Sequence, residues 1–186
     1  MIRKILKITV LTLASLIVAL LVYGGIQYPK TKGLNHFTAE RIVHAHVDEV
    51  WDIISDVGNY HEVTAAGIDK VRILEGNGLG MKRECADPAG NSWEEVCTLW
   101  EPGVQFKFRV NTEREDYRFP FKSLSGLWRV DSIAPTSTRI SLDFAYEFEN
   151  PFLSGFFISA GSKQAEEDMK ILLDNWQQLA EGNTIN

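Results

Sequence analysis

The sequence predicts an α+β domain in which a curved antiparallel sheet of about seven strands wraps around one long C-terminal helix, with one transmembrane helix before it. Three observations support this class. The chain of 186 residues opens with a long apolar run, continues with strand patterns separated by turn signals, and closes with an amphipathic helical pattern. Its composition is globular, since 45% of the residues are hydrophobic and 24% are charged. A net charge of −6 argues against a nucleic-acid partner, which requires a clustered basic surface.

The N-terminal segment has the length and composition of a membrane span. The run from Ile8 to Val22 is apolar or weakly polar, and the stretch from Ile5 to Ile26 has about the twenty residues that a helix needs to cross a bilayer. We therefore predict an anchor over residues 1–27 and a short linker over 28–36. A cleavable signal peptide is an alternative, although Val22-Tyr23-Gly24 is a poor cleavage site. A buried helix of a soluble protein is the third possibility.

Basic residues before the span predict its orientation. Arg3, Lys4 and Lys7 precede the apolar run, so they are expected to stay in the cytoplasm while the rest of the chain is exported. Lys30 and Lys32 lie on the other side of the span and weaken this bias. In a bacterium, the prediction is a single-pass protein of the inner membrane whose C-terminal domain lies in the periplasm.

The domain is predicted to begin at Phe37 with one strand and one short helix. The strand pattern places alternate residues on one face, namely Ala39, Val43, Ala45 and Val47. Asp48 is a favourable N-cap residue, and the segment after it has a helical apolar face formed by Val50, Trp51, Ile54 and Val57. Gly58 ends this helix, and a second short turn or helix follows.

Six further strand patterns follow one another, which predicts an antiparallel meander. They are IDKVRILEG, GMKRECAD, SWEEVCTLW, VQFKFRV, FKSLSGLWRVDSI and RISLDFAYEF. Short turn signals such as PAGN, EPG and APTST separate most of them. The longer loop NTEREDYRFP is predicted to form either a lid over a cavity, an edge near the membrane, or an ordinary solvated loop.

The chain is predicted to end in one long amphipathic helix. Asn150-Pro151 stops the last strand, and the helix is expected to run from Phe152 to Gly182. Its apolar stripe consists of Phe157, Gly161, Ala165, Met169, Leu172, Leu173, Trp176 and Ala180. If this helix does not fill the groove of the sheet, a cavity remains between the two.

The order of elements and several local stretches resemble the START-like or SRPBCC superfamily, most closely its polyketide cyclase/dehydrase and lipid-transport branch. The stretches that carry the resemblance are VHAHVDEVWDIISDVGNYHEV, GLGMKREC, EPGVQFKF and the amphipathic helix after ENP. The resemblance implies the helix-grip fold and a START-like ligand-binding domain over residues 37–182. It also implies a cavity for a hydrophobic ligand, since members include lipid carriers, quinone-binding proteins and a few cyclases. It identifies no catalytic residue in this chain.

Glu95 is the most informative polar candidate. It shares a strand face with Trp93, Cys97 and Leu99, which form the more apolar of the two rows, so we predict that it points inward. A carboxylate that faces an apolar cavity could act as an acid, a base or a contact for a ligand headgroup. The alternative is a structural role at the rim or in an ion pair with Arg83 on the neighbouring strand.

Aromatic rows on the strands are expected to face the long helix and to form core and cavity wall together. Tyr146 is of particular interest because its hydroxyl needs a partner if it is buried. The predicted ligand-contacting residues are Tyr60, Trp93, Glu95, Phe106, Phe108, Trp128, Tyr146, Phe157 and Met169.

The histidines and cysteines give weaker signals. His44 and His46 share a strand face, but it is the face opposite the apolar row, so solvent exposure is favoured over a metal site. Cys85 and Cys97 lie in adjacent predicted strands and form either a cross-strand disulfide or two independent buried thiols. We expect no metal and no cofactor.

Three functions are compatible with these observations. The leading hypothesis is membrane-tethered binding or transport of a lipid, a quinone or a polycyclic compound in a cavity between sheet and helix. The alternative is a cyclase or dehydratase that uses Glu95 or Tyr146 as an acid-base group, which requires two polar groups that converge inside the cavity. The third is an interaction domain with a filled core, which would leave no room beside Met169 and Trp176.

Overall fold

The computed structural model describes residues 2–64 and 67–183. The elements are α1 (Ile2–Thr31), β1 (Asn35–Val43), α2 (Val47–Ile54), α3 (Tyr60–Val63), β2 (Lys70–Glu75), β3 (Lys82–Ala86), β4 (Ser92–Glu101), β5 (Gln105–Val110), β6 (Phe121–Ala134), β7 (Ser137–Phe148), α4 (Pro151–Ser154) and α5 (Ile158–Ala180).

The seven strands form one antiparallel sheet in the order β1-β7-β6-β5-β4-β3-β2. Strands β2 to β7 follow one another as hairpins, and β1 pairs with the free edge of β7. Register shifts in β2, β4 and β6 mark β-bulges, which bend and twist a strand locally. The predicted curved antiparallel sheet with a long C-terminal helix, the helix-grip fold, is confirmed.

The core lies between the concave face of the sheet and helices α2 and α5. Alternate residues of the central strands point inward and are buried, among them Phe106, Phe108, Trp128, Ile140 and Leu142. Helix α5 contributes the buried part of its predicted stripe, Leu172, Leu173 and Trp176. Burial of each large apolar side chain contributes about 1.5–3 kcal/mol to folding, so these rows hold the helix against the sheet.

Gly126 on β6 is a position where only glycine fits. A Cβ atom there would lie 2.6 Å from Cζ3 of the Trp128 indole and 2.9 Å from Cε1 of Phe144. Both rings therefore lie directly over the strand backbone, which places Trp128 and Phe144 at the wall of the cavity described below.

The start of α2 differs from the prediction, because His46 and not Asp48 is the N-cap. His46 Nδ1 accepts a hydrogen bond from the backbone N–H of Asp48, and Glu49 Oε2 accepts one from the backbone N–H of His46. This capping box satisfies two N–H groups at the helix end. Asp48 and Glu49 then lie in the first turn, where the helix dipole favours negative charge.

The C-terminal region forms two helices where one was predicted. Asn150 caps α4 by accepting a hydrogen bond from the backbone N–H of Leu153, at 3.1 Å, and Pro151 occupies the first turn. The chain turns at 155–157 before α5 begins at Ile158. Phe157 is consequently 74% exposed and does not continue the buried stripe.

The segment 28–36, expected to be a linker, is largely regular structure. Helix α1 continues to Thr31, and β1 already begins at Asn35. Tertiary contacts hold the end of α1 in place, because Thr31 is fully buried against α4 and its hydroxyl donates a hydrogen bond to the carbonyl of Pro151 at 2.6 Å.

Candidate functional site

Two adjoining cavities lie between the sheet and α5. The larger, which we call the outer chamber, has a volume of about 720 Å³, within the usual range for small-molecule pockets. It is lined by Phe37, Pro120, Phe121, Leu124, Phe144, Tyr146, Phe148, Glu149, Asn150, Leu153, Ser154, Phe157, Ile158, Gly161, Ser162, Ala165, Asp168 and Met169. The filled-core hypothesis is therefore wrong, because open space lies beside Met169.

The smaller cavity, which we call the inner recess, has a volume of about 140 Å³. It shares Phe144, Asp168 and Met169 with the outer chamber, so the two cavities adjoin, and the charged groups Arg83 and Glu95 lie in the recess. The other residues of the recess are Tyr60, Thr64, Ile68, Arg83, Glu95, Trp128 and Leu172.

A buried ion pair forms the polar end. Arg83 on β3 lies opposite Glu95 on β4 in the antiparallel register, and both side chains point inward. Arg83 Nε and Nη2 lie 2.8 and 2.7 Å from Glu95 Oε2. The other carboxylate oxygen, Oε1, accepts a hydrogen bond from Trp93 Nε1 at 2.8 Å. Both predictions for Glu95 are thus realised together, since it points inward and it pairs with Arg83.

Arg83 has hydrogen-bonding capacity left for a ligand. The Nε N–H donates to Glu95 Oε2, one Nη1 N–H donates to the carbonyl of Val57 at 3.1 Å, and Nη2 makes an ion-pair contact with Glu95. Among the residues that the structure describes, no further acceptor is assigned to Nη1 or Nη2. The guanidinium carbon is 4.2 Å from the ring centroid of Phe108 and 5.1 Å from that of Tyr60, so the cation contacts two aromatic rings.

Burial and charge set the protonation states in the recess. Burial alone would lower the pKa of Arg83, but the attraction and hydrogen bond of Glu95, together with Cys85 and Tyr60, outweigh burial and the net shift is upward, so Arg83 stays charged. Burial raises the pKa of the Tyr60 phenol far above its ordinary value, with a further increase from Glu95. Tyr60 is therefore a neutral hydrogen-bond donor, held edge-on to Trp128 with ring centroids 6.0 Å apart.

The structure brings six of the predicted ligand-contacting residues to these cavities. Tyr60, Glu95 and Trp128 line the inner recess, Tyr146 and Phe157 line the outer chamber, and Met169 lines both. Glu95 and Tyr146, the two alternative acid-base candidates, therefore line different cavities and do not converge on each other.

The other three predicted residues lie behind the wall. Phe106 and Phe108 are 1% exposed in the packed core, where Phe106 stacks on Trp128 at a centroid distance of 5.1 Å. Trp93 holds Glu95 from the far side. Strand alternation identifies inward-facing residues but does not tell which of them border open space.

Two important wall residues were not among the predicted ligand contacts. Arg83 alternates with Cys85 along β3, and a charged residue in an otherwise apolar row was the available signal. Asp168 is half-buried on α5, next to Met169, and lines both cavities. Its position on the polar side of the predicted helix gave no sign of this, because the face that borders the cavity depends on the tilt of α5.

The loop that follows β5 packs against the back of the site. Phe119 contacts Trp93 edge-on at 5.1 Å, and Tyr117 lies beside Phe119 at 5.5 Å. Burial, with a smaller effect of Glu95, raises the pKa of Tyr117 to about 12. The loop thus packs beside the Trp93–Glu95 hydrogen bond, and its last residue, Pro120, lines the outer chamber together with Phe121 of β6.

The histidine and cysteine candidates lie apart from the cavities. His44 and His46 are exposed, and among the described residues no group of three or more His, Cys, Asp or Glu side chains is placed to hold a metal ion. Cys85 and Cys97 are free and buried, which confirms the alternative of independent thiols. The register explains this, because Cys85 pairs with Trp93 and not with Cys97.

Residues 35–181 match the family described as polyketide cyclase / dehydrase and lipid transport. The chain belongs to this family. No curated protein matches the sequence. Helix α1 contains one stretch, Lys7–Thr31, that is long and apolar enough to cross a membrane by length and composition.

Three solved structures share the fold. The Zhui aromatase/cyclase from Streptomyces sp. R1128 has a TM-score of 0.64 at 20% identity, covering 82% of this chain and 100% of that one. Norcoclaurine synthase from Thalictrum flavum has a TM-score of 0.60 at 13% identity, with coverage of 86% and 94%. A START superfamily protein from Mycobacterium smegmatis has a TM-score of 0.59 at 14% identity, with coverage of 80% and 98%. At these identities the similarity establishes the fold alone.

Proposed function

We propose that the protein is a membrane-anchored binding or transport protein for a neutral, largely apolar small molecule that carries a carbonyl or hydroxyl oxygen. A lipid, an isoprenoid quinone and a polycyclic compound all fit this description. The observation that carries the proposal is a largely apolar chamber of about 720 Å³ that adjoins a recess lined by Arg83. The apolar body of the ligand fills the chamber, and its oxygen accepts hydrogen bonds from Arg83.

The charges around the recess favour a neutral ligand. Glu95 already neutralises Arg83, and Asp168 adds a second carboxylate where the recess meets the chamber. An anionic headgroup would face repulsion from both carboxylates in a region of low dielectric constant. A neutral oxygen avoids this repulsion and still satisfies the remaining N–H groups of Arg83.

The apolar helix α1 supports the location that we propose, a single-pass anchor in a bacterial inner membrane with the domain on the periplasmic side. All residues from Ile8 to Val22 are exposed, which suits contact with lipid. Arg3, Lys4 and Lys7 before the span favour this orientation.

A second candidate function is an enzyme of the cyclase or dehydratase kind. The observation that favours it is the approach of a neutral phenol, Tyr60, to the cationic Arg83 inside the recess. Together they could polarise a substrate carbonyl, with Tyr60 as a hydrogen-bond donor and Arg83 as a positive charge. Tyr60→Phe separates the two candidates, because a carrier keeps its ligand whereas an enzyme that uses this phenol loses turnover. Glu95→Gln is a poorer test, since it leaves the buried charge of Arg83 unpaired.

The proposed function is tested by filling the chamber. Ala165 on α5 lines the outer chamber, so Ala165→Phe places a ring in the ligand space. Ala134 at the exposed end of β6 lines neither cavity, and Ala134→Phe is the matched control. The full chain in mild detergent is titrated with a short-chain ubiquinone while quenching of tryptophan fluorescence is recorded, since Trp128 borders the recess.

The expected result is saturable quenching in the unmodified chain and in Ala134→Phe, with binding weakened about tenfold or more in Ala165→Phe, which corresponds to about 1.4 kcal/mol. Equal titration curves for all three proteins would show that the chamber does not hold the quinone.

A further inference from the structure

The last turns of α1 pack tightly against the domain. Gly24, Gln27 and Thr31 are buried, whereas the residues between them are exposed, so they form one narrow packing stripe on the helix. The stripe faces α4 and the turn that follows it. The anchor is therefore joined to the domain by a packed helix–helix contact as well as by the chain.

Two glycines, one on each side, allow this close approach. A Cβ atom at Gly24 would lie 2.5 Å from the ring of Phe152, and a Cβ atom at Gly155 would lie 2.9 Å from Cβ of Gln27. The hydroxyl of Thr31 donates a hydrogen bond to the carbonyl of Pro151. Small residues at a helix contact bring backbones together and fix their relative orientation.

Helix α4 and the turn before α5, residues 151–157, form what we call the α4–α5 corner. The order of its contacts with α1 shows in which direction this corner runs along α1. Thr31 contacts Pro151, whereas Tyr23 contacts the ring of Phe156 at a centroid distance of 5.5 Å. Tyr23 lies eight residues before Thr31 on α1, which corresponds to about 12 Å along the helix axis. The chain from Pro151 to Phe156 therefore descends toward the membrane.

The length of α1 gives the depth of this corner. A hydrocarbon core of about 30 Å takes about 20 helical residues, which corresponds to Ile8 through Gln27. Tyr23 then lies about 6 Å inside the edge of that core, level with Phe156. Lys30 and Lys32 lie beyond the edge, where lysines meet lipid headgroups.

The corner carries two large apolar side chains that water would otherwise surround. Leu153 is 57% exposed and Phe157 is 74% exposed, and both line the mouth of the outer chamber. We propose that Leu153 and Phe157 form an entry lip inserted into the same leaflet as α1, so that the outer chamber opens into the lipid and a membrane-dissolved ligand enters without crossing water. This inference rests on the proposed membrane anchoring and ligand binding.

Spin labelling tests the position of the lip in the full chain. Phe157→Cys carries a nitroxide at the lip, and Leu79→Cys, at an apolar side chain that is 70% exposed in a turn, is the matched control. The native thiols, Cys85 and Cys97, are 0% and 1% exposed and should stay unlabelled. In phospholipid vesicles, collision with oxygen reports lipid, and collision with a water-soluble nickel chelate reports water.

If the lip is inserted in lipid, the nitroxide at position 157 collides with oxygen several-fold more often than with the nickel chelate. The nitroxide at position 79 shows the reverse ratio of the two collision frequencies. The same water-type ratio at both positions would overturn the proposal.

A second variant pair tests whether the α1–α4 contact aims the lip. Gly24→Leu collides with Phe152, whereas at Gly25 a Cβ atom would meet nothing within 4 Å, so Gly25→Leu is the control. In the spin-labelled chain, Gly24→Leu should shift the label at position 157 toward water, while Gly25→Leu leaves it in lipid. A label that stays at the same depth in both variants would contradict the role of the contact.

Failure of this inference is distinguishable from failure of the proposed function. A chain that binds ubiquinone in the chamber-filling titration, but whose label at position 157 reports water, has a ligand site without a lipid-inserted lip. A chain whose label at position 157 reports lipid, but which binds no ubiquinone, has the lip without the quinone site.

Discussion

The buried ion pair of Arg83 and Glu95 leads to a quantitative prediction for stability. Arg83 is 1% exposed and cannot lose its proton, so Glu95→Gln leaves a cation in the interior without a counter-charge. Two unit charges about 4 Å apart attract by about 4 kcal/mol at an effective dielectric constant of about 20. We therefore expect Glu95→Gln to lower the free energy of unfolding by about 3–5 kcal/mol.

A double-mutant cycle measures the interaction energy between Arg83 and Glu95 apart from their other contacts. Arg83→Met removes the cation and keeps most of the side-chain volume, so the variant with both substitutions contains no unpaired buried charge. The double variant should regain at least half of the loss caused by Glu95→Gln. The assay is urea unfolding of the full chain in mild detergent, followed by tryptophan fluorescence. Additive losses, with a coupling energy below about 0.5 kcal/mol, would refute the reasoning.

Three further predictions concern packing, acid stability and thiol reactivity. Gly126→Ala should lower the free energy of unfolding in urea by about 1–3 kcal/mol, because the new methyl group collides with two aromatic rings. Gly161→Ala lies in open space on α5 and should raise it by about 0.5–1 kcal/mol, because alanine is favoured over glycine within a helix. Equal effects of the two substitutions would contradict the packing argument. Burial alone would raise the pKa of Asp174, but its two basic partners outweigh burial and the pKa lies below its ordinary value of 3.8. The contribution of Asp174 to stability is thus present above about pH 4 and is lost as the pH falls further. In Asp174→Asn, the free energy of unfolding should therefore decrease less steeply below about pH 4 than in the unmodified chain. The same pH profile in both proteins would exclude this role. Burial raises the pKa of both thiols, Cys85 and Cys97. An aromatic disulfide reagent should therefore react with them about 100-fold more slowly in the native chain than in urea. A fast reaction in the native chain would show that the thiols are accessible.

The fold was predictable from the sequence because its elements carry strong local signals. The alternation along β5 and β7 and the stripe from Leu172 to Trp176 identified the inward faces correctly. The break between α4 and α5 was missed because FLSGFF continues the apolar pattern on both sides of the turn. At the break, Gly155 packs closely against Gln27 of α1, a contact between segments that are far apart in sequence.

The site was predictable only in part. Glu95 could be identified because a carboxylate in an apolar row is costly unless it is paired, and Arg83 is its natural partner across the hairpin. The division into chamber and recess could not be foreseen, since it depends on how far α5 stands from the sheet. For the same reason, the sequence could not distinguish Phe106 and Phe108, which fill the core, from Phe144, which borders open space.

The central claim is that the chamber and recess hold one neutral apolar molecule whose oxygen contacts Arg83. The most direct measurement is native mass spectrometry of the full chain extracted from its own membrane in mild detergent, with chemical analysis of any molecule released. We expect one neutral molecule per chain, rich in hydrocarbon and carrying a carbonyl or hydroxyl oxygen, and we expect its loss in Ala165→Phe. An empty chain, or a bound molecule that Ala165→Phe retains in full, would contradict the claim.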